Sequence, residues 1–229
     1  MNQESRPVAV VTGASRGAGK GIALALGGRG YTVYVTGRSE RAGDAPLPGT
    51  IHDTAAEIDR LGGHGIAVSC DHGDDEQVRA LFERIAREQD GRLDILVNNA
   101  CAIPDELVQP GGFWEKPLSL LSLLNVGMRS NYVASYYAAP LMVARRSGLI
   151  VHTSSFGGTC YMHGPAYGAG KAAVDKMAHD MAVELRPHNV AVVSIWMGLL
   201  KTERTDVALS DPELARHYEH LLETMESPQ

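Results

Sequence analysis

Val8-Ala-Val-Val-Thr-Gly-Ala-Ser-Arg-Gly-Ala-Gly-Lys-Gly-Ile-Ala23 is the stretch from which the rest of the chain is read. Val8–Thr12 is a short, apolar, β-branched run and predicts a strand. A glycine-rich turn follows, and Gly19–Gly28, rich in Ala and Leu, predicts a helix. Glycines let backbone approach a pyrophosphate closely, and a helix N-terminus offers N–H groups and positive dipole charge. Gly13, Ser15, Arg16, Gly17, Ala18 and Gly19 are therefore candidate phosphate-binding residues. A glycine-rich turn alone is weak evidence; its place after the first strand of an alternating chain makes it strong.

The alternation continues outward from that turn. Tyr31–Thr36, Ile66–Ser69, Leu93–Val97, Gly148–Thr153 and Val190–Trp196 read as strands. Between them Thr54–Leu61, Asp75–Glu88, Leu118–Arg145 (one or two helices) and Tyr167–Leu185 read as helices. Asp75–Glu88 is the clearest, with Val78, Leu81, Phe82 and Ile85 on one face. Strand, helix, strand, repeated, predicts an α/β fold: a doubly wound, Rossmann-like parallel sheet of about six strands with helices on both faces. No repeat or linker divides the chain, so residues 1–229 are expected to form a single domain. The polar insert Arg38–Thr50 reads as a loop beside the end of the second strand, either a neutral insertion or part of a ligand cap.

Composition narrows the function. The chain has 229 residues, enough for a sizeable core, and a net charge of −6, which offers no basic field to nucleic acid. The three cysteines, Cys70, Cys101 and Cys160, are scattered and suit a reducing compartment rather than a disulfide framework. His217 and His220 lie three apart, but with no carboxylate or cysteine constellation around them they read as a solvated helix face. No apolar run approaches the length of a membrane span, and a cytoplasmic protein is expected.

Chemistry is carried by Tyr167-Gly-Ala-Gly-Lys171. Residues four apart share one helix face, and an ammonium beside a phenol favours the phenolate, lowering the tyrosine pKa. Ser154, at the end of the fifth strand, precedes it, and alternation along a strand turns Ser154 and its neighbour Ser155 to opposite faces, so only one of the two can face a substrate. The second strand ends in Thr36-Gly37-Arg38-Ser39, without the acid that would bond an NAD ribose. Arg38 offers a fork of donors to a 2′-phosphate, and Arg16 is a second candidate; Glu40 lies past the strand end. NADP(H) is therefore the expected cofactor.

Together, Thr12-Gly-Ala-Ser-Arg-Gly-Ala-Gly19, Asn98-Asn-Ala100, the strand-end serine and the Tyr-x-x-x-Lys pair resemble, in order, the motifs of the short-chain dehydrogenase/reductase family. The resemblance spans about residues 7–205. Asn125–Arg129, Ala166–Ala173 and Val193–Trp196 resemble one branch of it in particular. The resemblance implies a hydride exchanged between a nicotinamide and a small-molecule carbonyl or secondary alcohol. Ser154, Tyr167 and Lys171 would be catalytic, with Lys171 also on the nicotinamide ribose. Asp71 and His72 would lie by the adenine, Asn98 and Ala100 by the cofactor, and Thr202 by the nicotinamide amide. It also implies a homodimer or homotetramer, paired through the helices of Leu118–Arg145 and Tyr167–Leu185, with no nucleic-acid or membrane partner. The alternative is a cofactor-binding regulator or scaffold of little turnover.

Three positions depart from the family pattern. Cys101 stands where the Asn-Asn-Ala motif ordinarily continues with glycine. Gly127 occupies the slot of a relay asparagine, so an asparagine restored there is expected to keep or raise activity, unless Gly127 is needed for close helix packing. Met197-Gly198 replaces a Pro-Gly. The family's seventh strand is also missing from the pattern: Asp211–Met225 reads as a helix. Val190–Trp196 is then expected at the sheet edge, covered by an oligomer partner or by the remainder of a longer protein. Phe113, Trp114, Tyr161 and Met162 are apolar candidates for the substrate pocket or for the core.

Overall fold

A computed structural model describes residues 6–198, 200–210 and 212. The chain folds as a Rossmann-like α/β protein built on six parallel strands with flanking helices. Two compact units are distinguished, one holding the residues up to Ser69 and those from Met197 onward, the other Cys70–Trp196.

The first unit contains β1 (Val8–Val11), α1 (Gly17–Gly27), β2 (Thr32–Gly37), α2 (Ile51–Arg60) and β3 (His64–Ser69). β2 is central, with Tyr34 in register with Val10 on one side and Ile66 on the other. Every residue of β1 and β2 is buried, which is why these strands read as continuous apolar runs rather than alternating ones. α2 starts at Ile51, three residues before the position read from periodicity. Thr50 caps it: its hydroxyl oxygen accepts from the Asp53 amide, and the same hydroxyl donates to the Asp53 carboxylate.

The second unit contains α3 (Asp75–Glu88), β4 (Ile95–Asn98), a single turn α4 (Ser122–Leu124), α5 (Ser130–Arg145), β5 (Gly148–Ser154), α6 (Pro165–Leu185) and β6 (Val190–Trp196). β5 is central, its His152 in register with Asn98 of β4 and Ser194 of β6. α3 is capped by Asp74 and buries Val78, Leu81, Phe82 and Ile85. The segment expected as one or two plain helices is broken instead. A tight turn at Leu118–Leu121 leads through α4 to a wide turn, Asn125–Arg129, in which Val126 and Gly127 leave helical geometry.

β6 pairs with β5 and leaves Val193, Ile195 and Trp196 exposed. Beyond it, Glu203–Ser210 forms α7 in the first unit. The helix expected over 211–225 lies outside the described residues, apart from a helical Pro212. Among the described residues no helix is long and apolar enough to cross a membrane.

Candidate active site

The phosphate loop connects β1 to α1. Gly13 and Gly17 both take positive φ, which bends the chain so that α1 begins directly at the loop. The first turn of α1 carries no acidic residue, and Arg16 at its N-cap supplies no side-chain cap. The anion that meets this helix start comes from α7: the Gly17 amide donates to Glu203 Oε2 at 2.9 Å. A loop that already accepts a carboxylate is chemically suited to a phosphate oxygen.

Of the cations expected to read a 2′-phosphate, Arg38 is exposed immediately after β2. Arg16 is engaged elsewhere, donating to Pro48 O, Gly49 O and Ser39 Oγ. Thr202, expected on the nicotinamide amide, caps α7: its hydroxyl accepts from the Thr205 amide while its own amide donates to Thr205 Oγ1.

In the second unit, Asp71 folds its own turn, its carboxylate accepting from the Gly73 amide, and His72 beside it is buried. Asn98 is buried as well; its amide donates to Ser135 Oγ, which donates to Asn131 O, tying β4 to α5. Ala100 is also buried.

Tyr167 and Lys171 lie one turn apart on α6, as their spacing predicts. The serine facing Tyr167 is Ser155: its Oγ is 2.9 Å from the Tyr167 hydroxyl. Ser154, chosen from the sequence, ends β5 with its Oγ buried and without a hydrogen-bond partner. Alternation separates the two serines, and the member that reaches the phenol is Ser155, not the Ser154 chosen from the sequence. β5 stops at Ser154, and Ser155 begins a tight turn, its Oγ capping the Gly157 amide. A Cβ on Gly157 would lie 2.7 Å from the Tyr167 ring, so the glycine lets this turn press against the phenol.

Lys171 donates from Nζ to Thr153 O at 3.1 Å and lies 5.7 Å from the centre of the Tyr167 ring. The sequence led us to expect a lowered tyrosine pKa. Burial instead pushes the Tyr167 pKa up, the Ser155 hydrogen bond opposing it and Cys101 adding to the rise. The phenol therefore holds its proton at neutral pH. One turn beyond Lys171 on the same face, Asp175 accepts from Ser194 Oγ at 2.7 Å and Trp196 Nε1 at 2.9 Å. Burial depresses the pKa of His152, between these groups and Asn98, to about 4, so its ring is neutral at ordinary pH.

The departures at Cys101 and Gly127 are in contact. A Cβ on Gly127 would fall 2.8 Å from Cys101 Sγ, and Gly127 has a φ of 139°, a conformation that L side chains rarely adopt. The thiol thus takes the space where a side chain at position 127 would start. Both facts favour the reading in which Gly127 is needed for close packing. Cys101 also packs with Tyr167 against Leu107, Leu120 and Leu123.

A cleft of about 380 Å³ is lined by Gly157–Met162 and by Gly168, Ala169 and Ala172 of α6. Tyr161 and Met162, named from the sequence, border it. Phe113 and Trp114 do not; at 65% and 75% exposed, packed edge to face on each other, they are not core either. Among the described residues no group of histidine, cysteine and acid residues forms a metal site; His217 and His220 lie outside them.

The chain belongs to the short chain dehydrogenase family, whose model matches residues 7–213. It is 48% identical over 199 residues to the mouse dehydrogenase/reductase SDR family member 1, covering 86% of this chain and 61% of that relative's length. Among solved structures, a short-chain type dehydrogenase/reductase from Mycobacterium marinum matches with a TM-score of 0.78 at 30% identity, covering 97% of this chain and 84% of that one. A metagenomic short-chain oxidoreductase in complex with NADP matches with a TM-score of 0.73 at 32% identity, covering 84% and 82%.

Proposed function

We propose that the chain is an NADP(H)-dependent carbonyl reductase or alcohol dehydrogenase, acting as a single dinucleotide-binding domain on a small, apolar carbonyl or secondary alcohol. The observation that carries this reading is the 2.9 Å contact of Ser155 with Tyr167 on the helix that also bears Lys171. Gly13, Ser15, Gly17, Ala18 and Gly19 would hold the cofactor's pyrophosphate, and Arg38 its 2′-phosphate. Asp71 and His72 would lie at the adenine end, with Asn98, Ala100 and Thr202 toward the nicotinamide. When bound, the nicotinamide supplies or accepts the hydride.

The protein's own groups do the rest. The Ser155 hydroxyl donates a hydrogen bond to the substrate carbonyl and polarises it, the role assigned from sequence to Ser154. Tyr167, protonated at neutral pH because burial disfavours its phenolate, delivers a proton to the developing alkoxide. Lys171, anchored on Thr153 O, holds the nicotinamide ribose and places positive charge beside the phenol. Tyr161 and Met162, bordering the cleft, suit an apolar substrate. A homodimer or homotetramer in the cytoplasm completes the proposal.

Fluorescence titration with both cofactors tests the cofactor choice. NADPH is expected to bind at least about tenfold more tightly than NADH, the worth of one charge-assisted contact to the extra phosphate. Equal affinity, or a preference for NADH, defeats it. A carbonyl screen following NADPH absorbance then tests the activity and finds the substrate.

A further inference from the structure

The insert between β2 and α2 is built onto the phosphate loop. Arg16 donates from Nε to Pro48 O at 2.9 Å, and from a terminal nitrogen to Gly49 O at 2.9 Å and Ser39 Oγ at 2.8 Å. Backbone also meets backbone there, since a Cβ on Gly49 would lie 2.5 Å from Ser15 O. The base of the insert is closed by the Ile51 amide donating to Ser39 O, and Ser39 is buried although polar. Its middle is folded by Asp44, which accepts from the Glu40 and Arg41 amides.

These contacts give Arg16 a role different from the one its position suggests. A guanidinium has a rigid fork of donors, and three directed bonds to two carbonyls and a hydroxyl use that fork on the insert. We propose that Arg16 is a positioning residue rather than a phosphate ligand. It seats the insert 38–50 against the phosphate loop, and that seating fixes Arg38, at the root of the insert, where the adenosine 2′-phosphate is read. Selection between NADPH and NADH then resides in the docking of the insert, with Arg16 acting only through it. This rests on the NADP(H) reading above and adds the means by which the choice is made.

Lysine separates the two roles, because it keeps the charge and loses the fork. The variants are Arg16→Lys, Arg16→Ala, Arg38→Ala and the Arg16→Ala/Arg38→Ala double. Each is titrated with NADPH and NADH, and its trypsin cleavage after Arg41 is timed without cofactor. If Arg16 seats the insert, the Arg16→Lys protein behaves as the Arg16→Ala protein does: NADPH binding weakens about tenfold, NADH binding changes less than about threefold, and cleavage after Arg41 speeds up several-fold. Arg38→Ala loses NADPH affinity but is cut at the wild-type rate, and the double variant binds NADPH no more weakly than Arg38→Ala. An Arg16→Lys protein with wild-type NADPH affinity and wild-type cleavage overturns the proposal, as do losses that multiply in the double variant. Should the wild type bind NADPH and NADH equally, the NADP(H) reading fails by itself. Arg16 is then judged by the cleavage rates, and an insert no more exposed in Arg16→Lys sinks its seating role. If Arg16→Ala does not fold, Arg16→Lys carries the comparison.

Discussion

The phosphate loop and the Ser155–Tyr167–Lys171 cluster are built from different materials. The loop is backbone: two glycines at positive φ, a helix start without a side-chain cap, and an amide that donates to a carboxylate. The cluster is side chain: a hydroxyl, a phenol and an ammonium, each aimed by a separate contact on β5, the turn after it, or α6. A backbone site is specified by where glycine must stand and tolerates side-chain change around it. A side-chain site depends on which of two neighbouring residues a turn presents.

The largest expected effect lies in the side-chain site. Tyr167→Phe should keep NADPH binding and lower turnover about 10²–10⁴-fold, the usual worth of a positioned proton donor. Near wild-type turnover would remove Tyr167 from the chemistry.

The serine pair comes next. Ser155→Ala should cost about a hundredfold in turnover, while Ser154→Ala should stay within a few-fold, because only Ser155 touches Tyr167. Steady-state kinetics on both variants decides between them, and the reverse ranking would restore the sequence reading.

A third test concerns the polar layer beneath the cluster. Between pH 6.5 and about 4 the unfolded His152 ring binds a proton and the buried one does not. The stability it contributes above pH 6.5 is therefore lost as pH falls toward 4, by up to about 3 kcal/mol. Urea denaturation across that range should show the loss, and His152→Asn should flatten the slope; an unchanged slope assigns it to other groups.

Gly127→Asn should destabilise by on the order of 1–3 kcal/mol, from the strained φ and the contact with Cys101 Sγ. Adding Cys101→Gly should recover part of that loss in a melting curve, since it relieves the contact but not the φ. Independent, additive losses would mean the two residues are not coupled.

The smallest effect belongs to the backbone site. Glu203→Gln should tighten NADPH binding a few-fold by removing a carboxylate that holds the Gly17 amide. Weaker binding in a titration would show that Glu203 supports the loop rather than competing for it.

The same contrast explains what the sequence disclosed. The succession of strands and helices, the glycine-rich turn after the first strand and the Tyr167–Lys171 helix were legible because burial periodicity and glycine spacing act locally. Periodicity alone starts α2 late; the Thr50–Asp53 cap that marks its true start is a local signal too, and a readable one. Ser155 was missed because the strand ends one residue before it, and a strand's end is set by pairing partners that no window of sequence contains. The coupling of Cys101 with Gly127 joins residues 26 apart in sequence through a turn that leaves helical geometry, so helical counting placed the slot but not its occupant. Arg16 was legible as a cation at the phosphate loop, but its partners lie across the insert, and only the fold brings Pro48 and Gly49 to it.

Tyr167, Lys171 and Asp175 recur every four residues along α6, and each is held by a different part of the second unit: the turn at Ser155, the carbonyl of Thr153, and Ser194 with Trp196 of β6. Eight residues of helix span about 12 Å. Over that length α6 behaves as a keyed shaft, since any rotation that frees the phenol must also withdraw Asp175 from the indole at the far end. The aim of Tyr167 is thereby gauged against β6, a strand outside the proposed chemistry. Substitutions at Trp196 will be felt as angular error at the phenol, two turns of helix away.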